Sequence, residues 1–312
     1  MNVEFRPLSY ALGAEVLGAD LSRPPTTELI AQIQSAILEH KVLLLRNQVI
    51  TPAQHVAFTE RFGKQEPYAF DHQRHPEFPV INVVTNARES GFKPEAINRG
   101  TEWHTDLSFS THPAELSLLY YLAIPEIGGS TIFANMSLAF ERLSQAYQKL
   151  IDPLYGVHAL FENAYTAQNR ANEEETRSLI AKHPPIAHRL VLEHPLTGRK
   201  ALYVAASKMK EIVGMTQEES ASILQYLFRH AERIEFTYRH SWKKGDLLIW
   251  DNRAVQHQEV PDCAHRQLRL HHRTTIIGPR RGVLVPDNRV NWNPAPDDPL
   301  AAIQQPAVQA QP

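Results

Sequence analysis

Along the chain, stretches with apolar residues three and four positions apart alternate with short runs in which every residue, or every second one, is apolar. Leu29, Ile30, Ile33, Ala36, Ile37 and Leu38 fall on one face of a helix predicted over residues 27–38. A short strand and turn at residues 13–21 precede it, and the apolar run 42–46 has strand length. Thr51-Pro52 opens a second helix ending near Phe62-Gly63. Residues 64–101 are polar and irregular apart from a strand at 80–84, and so long a connection predicts a lid facing a ligand.

Strands are predicted again at 116–123 and at 132–134, the latter fed by the turn Gly128-Gly129-Ser130-Thr131. A helical insertion over about 138–185 combines helical patterns at 138–151 and 172–182 with an extended segment at 155–161. Residues 190–194 and 201–204 flank a turn containing Gly198 and predict a hairpin. A helix over 216–229 has Thr216 as N-cap and Glu219 in capping-box position. Four strands follow at close spacing, 234–242, 246–250, 255–260 and 268–277. This order predicts an α+β chain with a mainly β core, a double-stranded β-helix of the jelly-roll, cupin-like kind with surrounding helices. Residues 1–278 read as one domain, and the proline-rich 279–312 as a C-terminal extension, extended or partly disordered.

With 32 basic and 34 acidic side chains the formal charge is −2, which carries no nucleic-acid footprint or membrane-surface patch. Small molecules are the expected partners. No apolar run reaches the length of a membrane span, the first residues lack signal-peptide character, and Cys263 is the single cysteine. A reducing cytoplasm is therefore the expected location.

The chemistry centres on Trp103-His104-Thr105-Asp106. In an extended segment residues two apart share a face, so His104 and Asp106 can grip one cation together. Two ligands leave a coordination sphere mostly empty, and His257, placed by the pattern at a strand start after the sharp turn 251–253, is the candidate third. Two imidazoles and a carboxylate suit ferrous iron with open positions, and zinc is the competing metal. Among 16 histidines a lone His-x-Asp is a weak signal. The strand 269–275 strengthens it, because Arg269, His271 and Arg273 share one face while Leu270 and His272 take the other. Inward guanidinium groups require anions, either a bound carboxylate or acidic side chains of the chain itself.

Taken together, Trp103-His104-Thr105-Asp106, Gly128-Gly129-Ser130-Thr131, Trp250-Asp251-Asn252-Arg253 with Gln256-His257, and 269–274 before Ile276-Ile277-Gly278 resemble one family in order and content. It is the taurine dioxygenase and 2,4-dichlorophenoxyacetate dioxygenase family of Fe(II)/2-oxoglutarate-dependent oxygenases, and the likeness runs from Gly13 to about Gly278. The resemblance implies His104, Asp106 and His257 as iron ligands. It implies that Arg269, helped by Thr131, holds the distal carboxylate of 2-oxoglutarate, with Arg273 near the co-substrate's other end and the anionic group of the substrate.

The implied reaction consumes dioxygen, decarboxylates 2-oxoglutarate to succinate and carbon dioxide, and hydroxylates a small anionic substrate: a sulfonate, sulfate ester, carboxylate or phenoxyalkanoate-like compound. The carboxylate at Asp106 argues for hydroxylation rather than halogenation. Substrate contacts are expected from Arg273, Tyr68, Leu107, Phe161 and Lys208, with Lys208 otherwise a solvated surface charge. Phe109 is a further wall candidate, His72 a lid residue within reach of an anion, and His271 and His272 read as structural. Taurine itself is not expected, because Tyr68, Asp71 and Gly100 stand where taurine-specific relatives carry other residues. The family's tendency to oligomerise implies a dimer or tetramer. Other readings of the same residues are a zinc-dependent hydrolase and a non-catalytic jelly-roll module that binds anions.

Overall fold

In the computed structural model, residues 3–68, 73–86, 100–160, 173–262 and 267–285 are described. The first elements are β1 (Glu4–Pro7), β2 (Ala14–Leu17), α1 (Thr27–His40), β3 (Val42–Leu45), α2 (Pro52–Glu60), β4 (Asn82–Thr85), β5 (Ala114–Ala123) and β6 (Thr131–Asn135). Then come α3 (Met136–Glu141), α4 (Gln145–Ile151), β7 (Tyr155–His158), α5 (Glu173–Lys182), β8 (Ile186–Arg189), β9 (Val191–Glu193), β10 (Lys200–Leu202), β11 (Met209–Ile212) and α6 (Gln217–Ala231). The last are β12 (Thr237–His240), β13 (Leu247–Asp251), β14 (Val255–Glu259), β15 (Leu270–Ile277) and β16 (Val283–Leu284). The helix starts follow from their caps. Thr26 accepts from the Leu29 amide ahead of α1, and Thr51 with Gln54 and Thr216 with Glu219 form reciprocal capping boxes ahead of α2 and α6.

The major sheet runs β1-β2-β3-β13-β5-β15-β4, and a smaller one runs β12-β6-β14. Its central strands are apolar on both faces because each face is covered. Leu43, Leu45, Leu118, Tyr120, Leu247 and Ile249 point outward and pack under Leu29, Ile30, Ile33 and Ile37 of α1. Their alternates Val42, Leu44, Leu119, Tyr121, Leu248 and Trp250 point inward onto Phe133 and Val255 of the smaller sheet. Burying each such aliphatic side chain contributes roughly 1.5–3 kcal/mol. This two-sheet core flanked by helices is the predicted jelly roll, and the inner face is where His257, Arg269 and His271 emerge.

Several boundaries differ from the sequence pattern. Residues 234–236 form a 3₁₀ turn rather than the start of a strand: Phe236 is buried as an anchor, Ile234 is exposed, and the Thr237 hydroxyl caps the Ile234 carbonyl. His257 is the third residue of β14, not its first. Beyond Gly278 the chain does not leave the fold at once, since Val283 and Leu284 pair with Ala187 and Ile186 of β8. The rest of the extension, 286–312, lies outside the described residues. Strands β1, β8, β11 and β16 escape the pattern because they are four residues or fewer and include exposed or polar positions.

Buried neutral imidazoles tie stability to pH. His55 lies between α2 and β15, fully buried, with Nε2 3.1 Å from the Thr274 hydroxyl, and burial with the nearby His272 holds its pKa down to about 3. Burial likewise pulls His188 and His272 to about 4. In the unfolded chain these groups protonate as pH falls through about 6.5, whereas the folded chain refuses the proton until pH 3–4. Their stabilisation is therefore complete above pH 6.5 and is lost as pH drops towards 4, at about 1.4 kcal/mol per pKa unit of difference. The melting temperature of the metal-free protein is expected to fall steeply over that interval, and His55→Gln to flatten the fall. A melting temperature level from pH 7 to pH 4 would contradict this.

Candidate active site

His104 and His257 meet as a non-local β pair. Each backbone amide donates to the other's carbonyl, His104 to His257 at 3.0 Å and His257 to His104 at 2.9 Å, in an isolated antiparallel bridge. Mutual bonding of this kind puts the two side chains next to each other, and their ring centroids are 4.2 Å apart. Asp106 follows two residues on, and Leu107, at φ 54°, turns the chain away in the left-handed region. A bulky residue there is strained, a cost sustained where the surroundings over-determine the backbone. Ligand atoms of His104, Asp106 and His257 all lie within 4.8 Å of one another.

The Asp106 carboxylate is held from several sides. Ser117 of β5 donates its hydroxyl to Oδ2 at 2.7 Å, and Arg273 donates Nη1 to Oδ1 at 2.9 Å. Asn252 accepts the Asp106 amide at 3.2 Å and donates Nδ2 to the Ser117 hydroxyl at 3.0 Å, so the turn after β13 braces the aspartate directly and through the serine. Burial alone would raise the Asp106 carboxyl, but the Arg273 guanidinium above all, with the flanking imidazoles and the Ser117 hydroxyl, holds it well below the usual carboxylate range. Burial keeps both imidazoles neutral, His257 down to about 3 and His104 below its ordinary value. An ionised carboxylate beside two neutral imidazoles is the protonation state a divalent cation requires.

Ser117 and Asn252 carry no sequence assignment, although Ser117 interrupts the otherwise apolar run 116–123 and Asn252 stands in a quoted motif. Ser117→Ala is expected to weaken Fe(II) binding about 10- to 100-fold, as loss of a partner behind a ligand does. Competition titration with a chelator checks this, and unchanged affinity would remove Ser117 from the site.

The predicted parity of β15 holds. Arg269, His271 and Arg273 face inward, where His271 stacks on Tyr121 at 4.7 Å, while Thr274 turns to His55 on the other side. Arg269 is buried and its guanidinium reaches acidic and phenolic partners: Glu259 at 2.6 and 2.8 Å, and the Tyr121 hydroxyl at 2.7 and 3.1 Å. An acidic side chain of the chain itself thus faces this arginine. Thr131 faces Glu259 across the β6–β14 ladder and accepts from Trp242 Nε1 at 2.9 Å, and Trp242 stacks on Tyr121 at 4.2 Å. Gly128 and Gly129 fix this corner. Both have positive φ, and a Cβ on Gly128 would lie 2.1 Å from the Asp262 carbonyl oxygen.

Beside Asp106 lies a small apolar cluster of Phe109, Leu160, Tyr68, Leu107 and Ile180. Cations flank it: the Arg273 guanidinium stands 5.7 Å from the Tyr68 ring centroid and the Lys208 ammonium 5.9 Å from that of Phe109. Lys208 is half-buried rather than a solvated surface charge, and burial pushes its pKa down to about 8 against the pull of Glu102 and Asp106. Phe161, Asp71 and His72 lie outside the described residues.

Behind the site Asp251 is enclosed by donors. It accepts from His194 Nε2 at 3.0 Å, from Arg253 Nε and Nη2 at 2.8 and 2.7 Å, and from the Arg253 amide at 3.0 Å. This closes the turn that presents Asn252.

Two imidazole nitrogens and one carboxylate within 4.8 Å of one another fit ferrous iron, which accepts this mixed set with positions to spare. The comparisons agree with that chemistry. Residues 4–275 match the family model described as "Taurine catabolism dioxygenase TauD, TfdA family". An alkylsulfatase of Acinetobacter baylyi is 32% identical over 281 residues, 89% of this chain and 86% of the relative. An alpha-ketoglutarate-dependent sulfate ester dioxygenase of Pseudomonas putida is 30% identical over 288 residues, 89% of this chain and 90% of the relative. The crystal structure of a taurine dioxygenase from Burkholderia xenovorans superposes with a TM-score of 0.73 at 34% identity, covering 92% of this chain and 94% of that one.

Proposed function

The chain belongs to the TauD/TfdA family of dioxygenases, and from that membership we propose that His104, Asp106 and His257 hold ferrous iron. It is an oxidoreductase, and its co-substrates are 2-oxoglutarate and dioxygen. The observation that carries the iron assignment is the convergence of three ligand atoms within 4.8 Å from segments far apart in sequence. With those co-substrates, bound iron supplies the oxidising chemistry that decarboxylates 2-oxoglutarate to succinate and hydroxylates the substrate.

The chain's own residues bind and orient. Ser117 and Asn252 fix the Asp106 carboxylate, and the backbone bridge fixes the two imidazoles. The face of Arg269, Tyr121 and Thr131 is the receptor for the co-substrate's far end. Arg273, Lys208 and the wall of Tyr68, Leu107 and Phe109 receive the substrate, an anionic head against cations and an apolar body against the rings. This chemistry suits a sulfate ester, sulfonate, carboxylate or phenoxyalkanoate-like compound with an apolar body. Taurine, which has no apolar body to set against those rings, fits it poorly.

The test is succinate release by Fe(II)-loaded protein across alkyl sulfates, alkyl sulfonates, phenoxyalkanoates and taurine. An apolar-bodied anion should stimulate release well above the substrate-free rate, with sulfate esters the first to try, since two relatives are named for them. Turnover with zinc alone, or anion binding without turnover, would favour the hydrolase or the binding module instead.

A further inference from the structure

We propose that Glu259 is a built-in occupant of the co-substrate's carboxylate receptor, so that this chain discriminates only weakly between dicarboxylic and monocarboxylic 2-oxo acids. The inference rests on the reading of Arg269 as the group that receives the distal carboxylate of 2-oxoglutarate. A guanidinium has five N–H donors: one on Nε and two on each Nη. Nε and Nη2 donate to the Tyr121 hydroxyl at 3.1 and 2.7 Å, and Nη1 and Nη2 donate to Glu259 at 2.8 and 2.6 Å. Four of the five are committed, and the fork that matches a carboxylate bidentately already holds one.

Glu259 is held in this place by the fold. It is the last residue of β14, two positions beyond His257, and faces Thr131 in the ladder while its amide donates to the Gly100 carbonyl at 2.7 Å. Its side chain is 17% exposed and that of Arg269 7%, so solvent screens their pairing only partly. A distal carboxylate arriving here meets one of two costs. Either it displaces Glu259 and leaves a half-buried carboxylate without its cation, or it settles for the remaining Nη1 hydrogen and the Thr131 hydroxyl while facing a like charge. A 2-oxo acid with a methyl group in place of that carboxylate meets neither. The far-end charge, which an unpaired arginine would reward strongly, is therefore rewarded little.

The experiment is anaerobic calorimetric titration of Fe(II)-loaded wild type, Glu259→Gln and Glu259→Ala with 2-oxoglutarate and with 2-oxovalerate, the analogue in which the distal carboxylate is a methyl group. In wild type the two dissociation constants should lie within about tenfold of each other, that is within about 1.4 kcal/mol. In Glu259→Gln the constant for 2-oxoglutarate should drop by about tenfold or more while that for 2-oxovalerate stays put. Glu259→Ala should shift selectivity the same way. Equal affinities for 2-oxoglutarate in all three proteins would overturn the proposal, and so would a parallel shift for both acids, which marks a merely structural role. If neither acid binds to any of the three despite stoichiometric iron, the 2-oxoglutarate reading itself fails and takes this one with it.

Discussion

His104→Ala is expected to lose stoichiometric Fe(II) binding and to lower succinate release by on the order of a thousandfold, while the metal-free protein melts near the wild-type temperature. Activity should fall because one of three ligands is gone, and several kcal/mol of metal binding go with it, at about 1.4 kcal/mol per factor of ten. The fold should survive because what His104 contributes to β pairing is its backbone: the bridge to His257 uses amide and carbonyl groups that alanine also has. The imidazole makes one hydrogen bond, from Nδ1 to the Glu102 carbonyl at 2.8 Å, two residues away. Iron analysis, succinate release and a thermal melt on one preparation separate the two effects. A variant that keeps its iron and its turnover would remove His104 from the site.

Asp251→Ala is expected to destabilise the protein by about 3–5 kcal/mol, the usual result of removing one partner from a buried pair. Asp251 is 1% exposed and Arg253 7%, and the carboxylate accepts from His194 and from three nitrogens of Arg253. Without it the guanidinium keeps, among the described residues, only Glu115 at 3.4 Å, a longer and partly exposed contact. At roughly 2–4 °C per kcal/mol for a chain of this order of size, the melting temperature should fall by roughly 6–20 °C. Asp251→Asn keeps an acceptor and the turn, and should fall by less. Because the same turn presents Asn252 to Asp106, metal affinity should weaken along with stability. Thermal or chemical denaturation decides, and a shift under about 2 °C would show that the arginine finds other compensation.

Periodicity carried the large elements because their burial is one- or two-sided in a regular way. The spacing of Leu29, Ile30, Ile33 and Ile37 reports a helix resting on a sheet, and the alternation in β3, β5 and β13 reports that sheet's two covered faces. Thr51 and Thr216 marked helix starts because capping is local. What escaped is set by non-local partners. Strand β16 exists because Ala187 and Ile186 offer an edge to Val283 and Leu284, which no local pattern of two residues can encode. Residues 234–236 look like strand by composition, yet Phe236 seeks the helical core and tightens the chain into a turn.

The site divides along the same line. His104 and Asp106 were legible because two ligands share a segment, and the shared face of Arg269 and Arg273 because a strand alternates. The direct pairing of His104 with His257 was not legible, nor was the placing of Ser117 and Asn252 behind Asp106, since each joins residues brought together only by the sheet. Glu259 shows the limit most clearly. The chain's pattern says that Arg269 needs an anion, and the packing of β14 against it supplies one.

The most direct test of the central claim is the visible absorption of Fe(II)-loaded protein titrated with 2-oxoglutarate under argon. If His104, Asp106 and His257 hold iron with positions open to the 2-oxo acid, a weak visible charge-transfer band should grow and saturate in wild type and be absent from His104→Ala. No new band at saturating 2-oxoglutarate, with stoichiometric iron bound, would contradict the assignment of this site as an Fe(II)/2-oxoglutarate centre.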